Sequence, residues 1–264
     1  METAAPLPAN RYPLEGRGGF LAPRSSLPAP RLHPPLPAPR LKAALFDMDG
    51  VLYNSMPRHA ICWEQAMAKY GLKMTQQQAY EYEGMRGVET IQLIARQQKG
   101  IEMTEEEAQP IYDEKSRLFH LMGDAPIMEG AKELMQAMQA QGMQIGIVTG
   151  SGQKPLIRRV LNDFRQFVDQ QHIVTAYDVK HGKPAPDPYL MGLRKAGNLQ
   201  PHEAIVVENA PLGVAAGVAA GIFTIAINSG NLPKESLSQA DLLFDSMNDL
   251  YQAWNQIINK KNES

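Results

Sequence analysis

Asp47 and Asp49 stand two residues apart at the end of a short apolar run, in Phe-Asp-Met-Asp-Gly-Val-Leu. Thr149 closes a second run, Ile-Gly-Ile-Val-Thr-Gly-Ser-Gly, and Glu208 and Asn209 close another, Ile-Val-Val-Glu-Asn-Ala. Lys183 lies in the loop Lys-His-Gly-Lys-Pro-Ala-Pro-Asp-Pro-Tyr, ahead of a helical pattern. If these four segments meet, each pair of carboxylates repels by about 4 kcal/mol at about 4 Å and an effective dielectric near 20. Such a set persists only around a cation, and an all-oxygen shell of carboxylates and carbonyls suits Mg2+. An aspartate beside a metal-bound phosphate is a competent nucleophile. A lysine, a hydroxyl and backbone N–H groups would then offset charge on the transferring phosphoryl oxygens.

The elements that would position these residues alternate along the chain. Short, near-continuous apolar runs at Lys42–Phe46, Gln144–Thr149, Ile173–Ala176, Ala204–Val207, Gly221–Ile227 and Asp241–Phe244 read as strands. Helical patterns lie between most of them, at Ala131–Gln141, Gly152–Leu161, Pro188–Ala196 and Leu212–Ala220, with another at Ser246–Lys260. Buried strands alternating with helices predict an α/β fold with a parallel sheet covered on both faces. Ligands of such sheets bind beyond the carboxyl ends of the strands, where the polar residues sit. One interval breaks the alternation: Arg58–Tyr70, Gln76–Glu81, Val88–Gln98 and Thr104–Leu121 are helical patterns with no strand among them. They predict an inserted all-helical cap over residues 57–123, with hinges near Asn54–Met56 and Gly123–Ala125, on a core of residues 41–56 and 124–264.

Composition narrows the function classes. A formal charge of −2 gives no reason to expect nucleic acid or an anionic membrane as partner. No run approaches the roughly 18 consecutive apolar residues of a membrane span. The single cysteine, Cys62, excludes an internal disulfide framework and fits a reducing, cytoplasmic setting. Residues 1–40 hold 10 of the 20 prolines and five arginines, without helical or strand periodicity, and read as a disordered extension. That stretch has neither a continuous apolar segment of 7–15 residues nor a basic start, so it does not read as a secretory signal.

The four segments, in order and each at a strand end or loop, resemble the four motifs of the haloacid dehalogenase superfamily of phosphotransferases, in its branch with a helical cap after the first strand. The resemblance covers nearly all of residues 41–264 and implies a Rossmann-like core. It implies that Asp47 is the nucleophile and a magnesium ligand. Asp49 would give a backbone carbonyl to the metal and act as general acid, then as general base. Thr149, with the amides of Gly150 and Ser151, would bind the transferring phosphoryl group, and Lys183 would pair with Asp47 and the phosphate. Glu208 and Asn209 would complete the metal shell. The fourth motif of the family usually ends in two acids, and Asn209 departs from it; a neutral amide there predicts weaker Mg2+ affinity and less repulsion of a highly charged phosphate.

The cap reads the part of the substrate that is not transferred. Its candidate reading loop is Glu81-Tyr-Glu-Gly-Met-Arg-Gly87. The related β-phosphoglucomutases place basic residues on this loop and on the second-motif loop to hold a second phosphate. This sequence has Gly87 and Gly152 there, with Arg86 adjacent, and Glu83 stands where another cap lysine would be. Losing those cations favours hydrolysis of a small phosphorylated compound over mutase chemistry, which is kept as the alternative; a non-catalytic phosphate-binding module is a remote one. The Glu-Gly pair of the cap and Glu-Asn-Ala-Pro-Leu-Gly resemble the small bacterial inorganic pyrophosphatases of the superfamily, which implies pyrophosphate, or else a sugar phosphate, as substrate with Glu83 in its site.

His59, early on the first cap helix, falls where related mutases have a histidine assisting the acid/base aspartate. Asp187, before Pro188, reads as a helix N-cap. Cys62 and Trp63 read as packed cap residues, and His120, His172, His181 and His202 form no metal spacing. The chain is expected to work as a monomer or weak dimer.

Overall fold

The computed structural model describes residues 41–262, so the proline-rich first 40 residues lie outside the described part. Six strands form one sheet: β1 (Ala43–Phe46), β2 (Gln144–Val148), β3 (Ile173–Val174), β4 (Ala204–Glu208), β5 (Phe223–Ile227) and β6 (Leu242–Phe244). All neighbouring pairs are parallel, in the order β3-β2-β1-β4-β5-β6. Nine α-helices are described: α1 (Met56–Lys69), α2 (Gln76–Glu81), α3 (Gly87–Lys99), α4 (Glu105–Leu121), α5 (Ala131–Ala140), α6 (Lys154–Asp163), α7 (Asp187–Lys195), α8 (Pro211–Ala219) and α9 (Met247–Asn262).

The two-residue period of β1 sorts its side chains between two layers. Ala44 and Phe46 join Ile145, Ile147, Ile205 and Val207 on one face, under Met135 of α5, Val160 of α6 and Trp254 of α9. Ala43 and Leu45 face the other way, with Val148 and Val206, against Tyr189 and Leu193 of α7 and Ala216 of α8. Leu45 and Phe46 are buried, each contributing roughly 1.5–3 kcal/mol of transfer free energy. Burial on both faces explains why the strand reads as a continuous apolar run. The chain leaves β1 for β2 on one side and later returns to β4 on the other. That reversal opens a crevice at the carboxyl ends of β1, β2 and β4, and the motif residues occupy it.

Helices α1 to α4 lie between β1 and β2 and share a core of Trp63, Met67, Ile91, Ile94 and Ile111. Reciprocal capping boxes start α2 at Thr75 with Gln78 and α4 at Thr104 with Glu107, satisfying backbone donors that would otherwise be orphaned. The two connecting segments run side by side, Asn54 N donating to Pro126 O at 2.9 Å and Met128 N to Leu52 O at 2.9 Å. Arg58 of α1 donates to the Met122 and Gly123 carbonyls, and Arg159 of α6 to that of Ala125, so both sides grip the second connection.

Three local expectations shift. The third strand ends at Val174 rather than Ala176, because Thr175 N and Oγ1 both donate to Asp178 Oδ2 at 2.7 Å and turn the chain. The first helix after β2 starts at Lys154 rather than Gly152, with Pro155 in its first turn. Asp187 is not an N-cap: Pro186 holds that position, and the Asp187 carboxylate instead accepts from His181 Nδ1 at 3.0 Å. Among the described residues no helix is long and apolar enough to cross a membrane.

Candidate active site

The site is built on the end of β1. Asp47 follows the last strand residue, its N–H donating to the Val207 carbonyl of β4 at 3.0 Å, which aims the carboxylate out of the sheet edge. Lys183 reaches it from the loop before α7. Its Nζ lies 2.5 Å from Asp47 Oδ1 and 2.6 Å from Glu208 Oε1, and also donates to the Val148 carbonyl at 3.2 Å. Burial works against the lysine charge, but Asp47 and Glu208 outweigh it and raise its pKa. Burial, only partly offset by Lys183 and reinforced by Glu208 and Asp49, raises the Asp47 carboxyl to about 8. The segments predicted to converge do so at this point.

The second carboxylate faces the cap. Asp49 Oδ1 accepts from Ser55 Oγ at 2.6 Å and lies 3.0 Å from His59 Nε2. The Nδ1 atom of His59 is 2.7 Å from Nζ of Lys115, a buried lysine of α4. An ammonium can only donate, so His59 accepts at Nδ1 and carries its proton at Nε2, toward Asp49. The ring stacks on Phe119 at 3.9 Å between centroids, which fixes its plane. Burial alone would raise the Asp49 pKa, yet His59, Ser55 and Lys115 together bring it down to about 2. Burial pushes His59 down as well, with Lys115 adding to the effect.

Lys115 is a site residue that the sequence did not disclose. It stands among Trp63, Tyr112 and Phe119, and on a helix rich in charged residues nothing in its type or spacing marks it. Burial lowers its pKa to about 8, against the pull of Asp49. The proton that holds the Lys115–His59–Asp49 chain in register is therefore lost just above neutral pH. We expect kcat/KM to fall as pH rises through about 8, and Lys115→Met to lower activity about 10- to 100-fold while removing that alkaline limb. A pH–rate profile of both proteins checks it; an unchanged limb in the variant would exclude Lys115 as its source.

The cap supplies a third acid. Glu83, on the turn between α2 and α3, accepts from Asn209 Nδ2 at 3.1 Å through Oε2, and its Oε1 is buried without a partner. Burial, reinforced by the charges of Asp47, Glu208 and Asp49 and opposed by the Asn209 hydrogen bond, raises its pKa well above the ordinary value. Gly50, at φ +82°, makes room for this meeting, since a Cβ there would overlap the Asn209 amide.

The oxygens fit a divalent cation. Among the described residues no group of three or more His, Cys, Asp or Glu side chains forms a ready-made metal site. The candidate set is mixed: the Asp47 carboxylate, the Asp49 carbonyl and Asn209 Oδ1, which is buried and has no partner. Asp47, Asp49, Glu83 and Glu208 face only Lys115 and Lys183, a formal surplus of two negative charges that one Mg2+ would neutralise. Glu208 departs from the expected metal role. Its Oε1 accepts from Lys183 and from Tyr189 OH at 2.7 Å, and its Oε2 from the N–H groups of Asn209 at 2.9 Å and Ala210 at 3.3 Å. With both oxygens engaged by protein donors, Glu208 anchors the lysine rather than offering an open ligand position. On Asp49 both bonds, from Ser55 and His59, fall on Oδ1, which holds that side chain toward the cap, and the backbone carbonyl is the oxygen the family resemblance assigns to the metal.

Thr149, just past β2, accepts from the Ser151 N–H at 3.0 Å through Oγ1, which curls the Thr-Gly-Ser loop. These three residues line a cavity of about 80 Å3 together with Asp47, Asp49, His59, Glu83 and Lys115. At roughly 10–15 Å3 per water-sized sphere, the space takes about five to eight such spheres, the scale of a phosphoryl group or a small phosphate compound. At the two glycine positions the Tyr112 ring fills the space a side chain at 87 would take, and the Tyr177 ring that at 152. Arg86 is held by Glu89 at 3.5 Å and Glu105 at 3.3 Å. Cys62 is buried, 3.4 Å from Met122 Sδ, with its thiol pKa raised by burial, so it is packed rather than reactive.

Comparison with known proteins agrees with this geometry. The family model described as haloacid dehalogenase-like hydrolase matches residues 44–227. The chain is 33% identical over 213 residues to hexitol phosphatase A of Escherichia coli, covering 79% of this chain and 92% of that protein. It is 28% identical over 209 residues to the mitochondrial (DL)-glycerol-3-phosphatase 1 of Arabidopsis thaliana, covering 78% and 70%. Among solved structures, a Bacteroides vulgatus protein provisionally described as a beta-phosphoglucomutase superposes with a TM-score of 0.79 at 45% identity, covering 83% of this chain and 89% of that one.

Proposed function

The chain belongs to the haloacid dehalogenase-like hydrolase family, and from that premise we propose that it is a magnesium-dependent phosphohydrolase working through a phospho-aspartate. The observation that carries this reading is the Asp47 carboxylate, held 2.5 Å from Lys183 and opening on a cavity floored by Thr149, Gly150 and Ser151. In the first half-reaction an Asp47 oxygen attacks phosphorus, the bond to the leaving oxygen breaks, and that oxygen takes a proton delivered at Asp49. In the second, Asp49 takes a proton from water, which attacks phosphorus and frees Asp47 together with inorganic phosphate. Lys183 and the Gly150 N–H would hold the phosphoryl oxygens, whereas the Thr149 and Ser151 N–H groups, the latter expected to share that role, are spent on the Val174 carbonyl and on Thr149 Oγ1 and fix the loop. Mg2+, held by Asp47, Asn209 and the Asp49 carbonyl, would neutralise charge on the phosphoryl group. Asp49 is ionised as it stands, which suits the second half; for the first, the Lys115–His59 chain is placed to supply its proton.

Hydrolysis is favoured over mutation. A mutase must grip a bisphosphate while it turns over, and two tyrosine rings stand where the second grip would be. Two substrate readings have support. The small chamber and the raised pKa of Glu83 favour pyrophosphate, whose protonated or metal-bound oxygens would meet that acid. The hexitol and glycerol phosphatases among the relatives favour a sugar or polyol phosphate. Turnover of pyrophosphate, hexitol phosphates and glycerol phosphate, with and without Mg2+, tests both. No activity on pyrophosphate ends the first reading, no activity on the phosphate esters ends the second, and activity that survives chelation ends the metal role.

A further inference from the structure

One core side chain grips both connections between core and cap. Arg159 of α6 donates through Nη2 to the Ala125 carbonyl and through Nε to Asp163 Oδ2 at 3.2 Å, and its Nη1 lies 3.5 Å from the Asp124 carboxylate. Those contacts hold the second connection. On the first, the same guanidinium lies 4.3 Å from the centre of the Tyr53 ring. Tyr53 OH donates to Asp163 Oδ2 at 2.9 Å, and its ring meets Phe164 edge-on at 5.7 Å. A flat guanidinium can bond several acceptors and stack on a ring at once, which a lysine ammonium cannot.

The grips leave little chain free to turn. Arg58, which belongs to the cap, holds the Met122 and Gly123 carbonyls, while Arg159 holds that of Ala125 for the core. Asp124 alone lies between the two holds, its side chain 84% exposed. On the first connection Tyr53 packs in the core cluster and α1 begins at Met56, so the exposed Asn54 and Ser55 are what remains. The cap therefore swings on two short pivots, and Arg159 braces the core side of both.

Ser55 ties these pivots to the chemistry. Its N–H donates to the Tyr53 carbonyl at 2.9 Å and its Oγ to Asp49 Oδ1 at 2.6 Å. A void of about 10 Å3, room for roughly one water-sized sphere, is walled by Arg159, Tyr53, Ser55, Asp49 and Phe119. Phe119 is the ring on which His59 stacks. A shift at Arg159 thus reaches both partners of the 3.0 Å His59–Asp49 contact, Asp49 through Tyr53 and Ser55, and His59 through the second pivot and Phe119.

We propose that Arg159 is a positioning residue of the hinge: it fixes the axis on which the cap closes, and with it the registration of His59 against Asp49. It touches no substrate. The proposal rests on the phosphohydrolase reading, in which Asp49 delivers a proton to the leaving oxygen.

The test compares leaving groups, because kcat/KM reports the steps through departure of the leaving group. Glycerol phosphate releases an alkoxide that needs the proton, and acetyl phosphate a carboxylate that does not. Arg159→Gln is expected to lower kcat/KM about tenfold or more for glycerol phosphate and less than about threefold for acetyl phosphate, with Arg159→Lys in between. Equal loss on both compounds, or no loss on either, overturns the proposal. Spin labels read the hinge without turnover, at Gln97→Cys on the cap and Gln166→Cys on the core; both positions are exposed, and Cys62 is buried. With Mg2+ and inorganic phosphate present, the distribution of distances between the labels should be clearly broader in Arg159→Gln than in the parent. Equal widths overturn the proposal. If the parent does not turn over both compounds, the widths alone decide it; if it turns over no phosphate compound at all, the phosphohydrolase reading falls on that separate result.

Discussion

Lys183→Met is expected to destabilise the protein by roughly 3–5 kcal/mol and to abolish measurable turnover. The ammonium is buried between two buried carboxylates, at 2.5 Å from Asp47 and 2.6 Å from Glu208. Methionine has similar length and fills the space, so the loss is electrostatic rather than a cavity. Without the cation, Asp47 and Glu208 face each other across a site that excludes water, and one of them must bind a proton. A carboxyl whose folded pKa lies above its unfolded value favours the fold as pH falls. The deficit of the variant, measured by urea unfolding against the parent, should therefore be largest at neutral pH and shrink toward pH 5. A deficit independent of pH would mean that packing, not charge, is what Lys183 contributes. Tyr189 sets a limit on the repair: its hydroxyl stays on Glu208 Oε1 at 2.7 Å and screens only one of the two acids.

The skeleton was legible because its signals are local. Strands buried on both faces appear as uninterrupted apolar runs, and the helices between them carry one apolar stripe each; both patterns follow from burial geometry and need no knowledge of distant partners. The boundaries that moved are those set by side chains acting on backbone, such as Asp178 turning the chain after Val174, or Pro186 taking the cap expected of Asp187. Composition cannot show which of two neighbouring residues wins such a bond.

The site divides along the same line. Asp47, Asp49, Thr149 and Lys183 stand beside glycines and prolines at ends of apolar runs, where polar residues stand out. Lys115 lies in the middle of a helix with seven charged residues among its 17, and only the fold of the cap shows that this one lysine is turned inward onto His59. Glu208 shows a different limit. Its residue type suits a metal ligand, and only the four donors around it show that its oxygens are taken.

Asp47→Asn is expected to lower turnover at least 10^4-fold while leaving the fold in place, the signature of a lost nucleophile rather than a lost structure. An amide of the same shape keeps the packing at the end of β1, and Lys183 retains Glu208 as a partner at 2.6 Å. An amide at 47 also stays neutral at every pH and so relieves Glu83, whose raised pKa owes its largest electrostatic contribution to Asp47, most of all above about pH 8 where Asp47 itself is charged. Thermal unfolding within a few degrees of the parent, or above it, would accord with that relief. The chemical consequence is sharper: brief incubation of the parent with 32P-labelled substrate followed by acid quench should leave label on the protein, hydroxylamine-sensitive as an acyl phosphate is, and the variant should carry none. Label that persists in the variant would move the nucleophile elsewhere in the crevice, and turnover above about one part in a hundred would mean that water attacks phosphorus directly, with Asp47 only holding the cation.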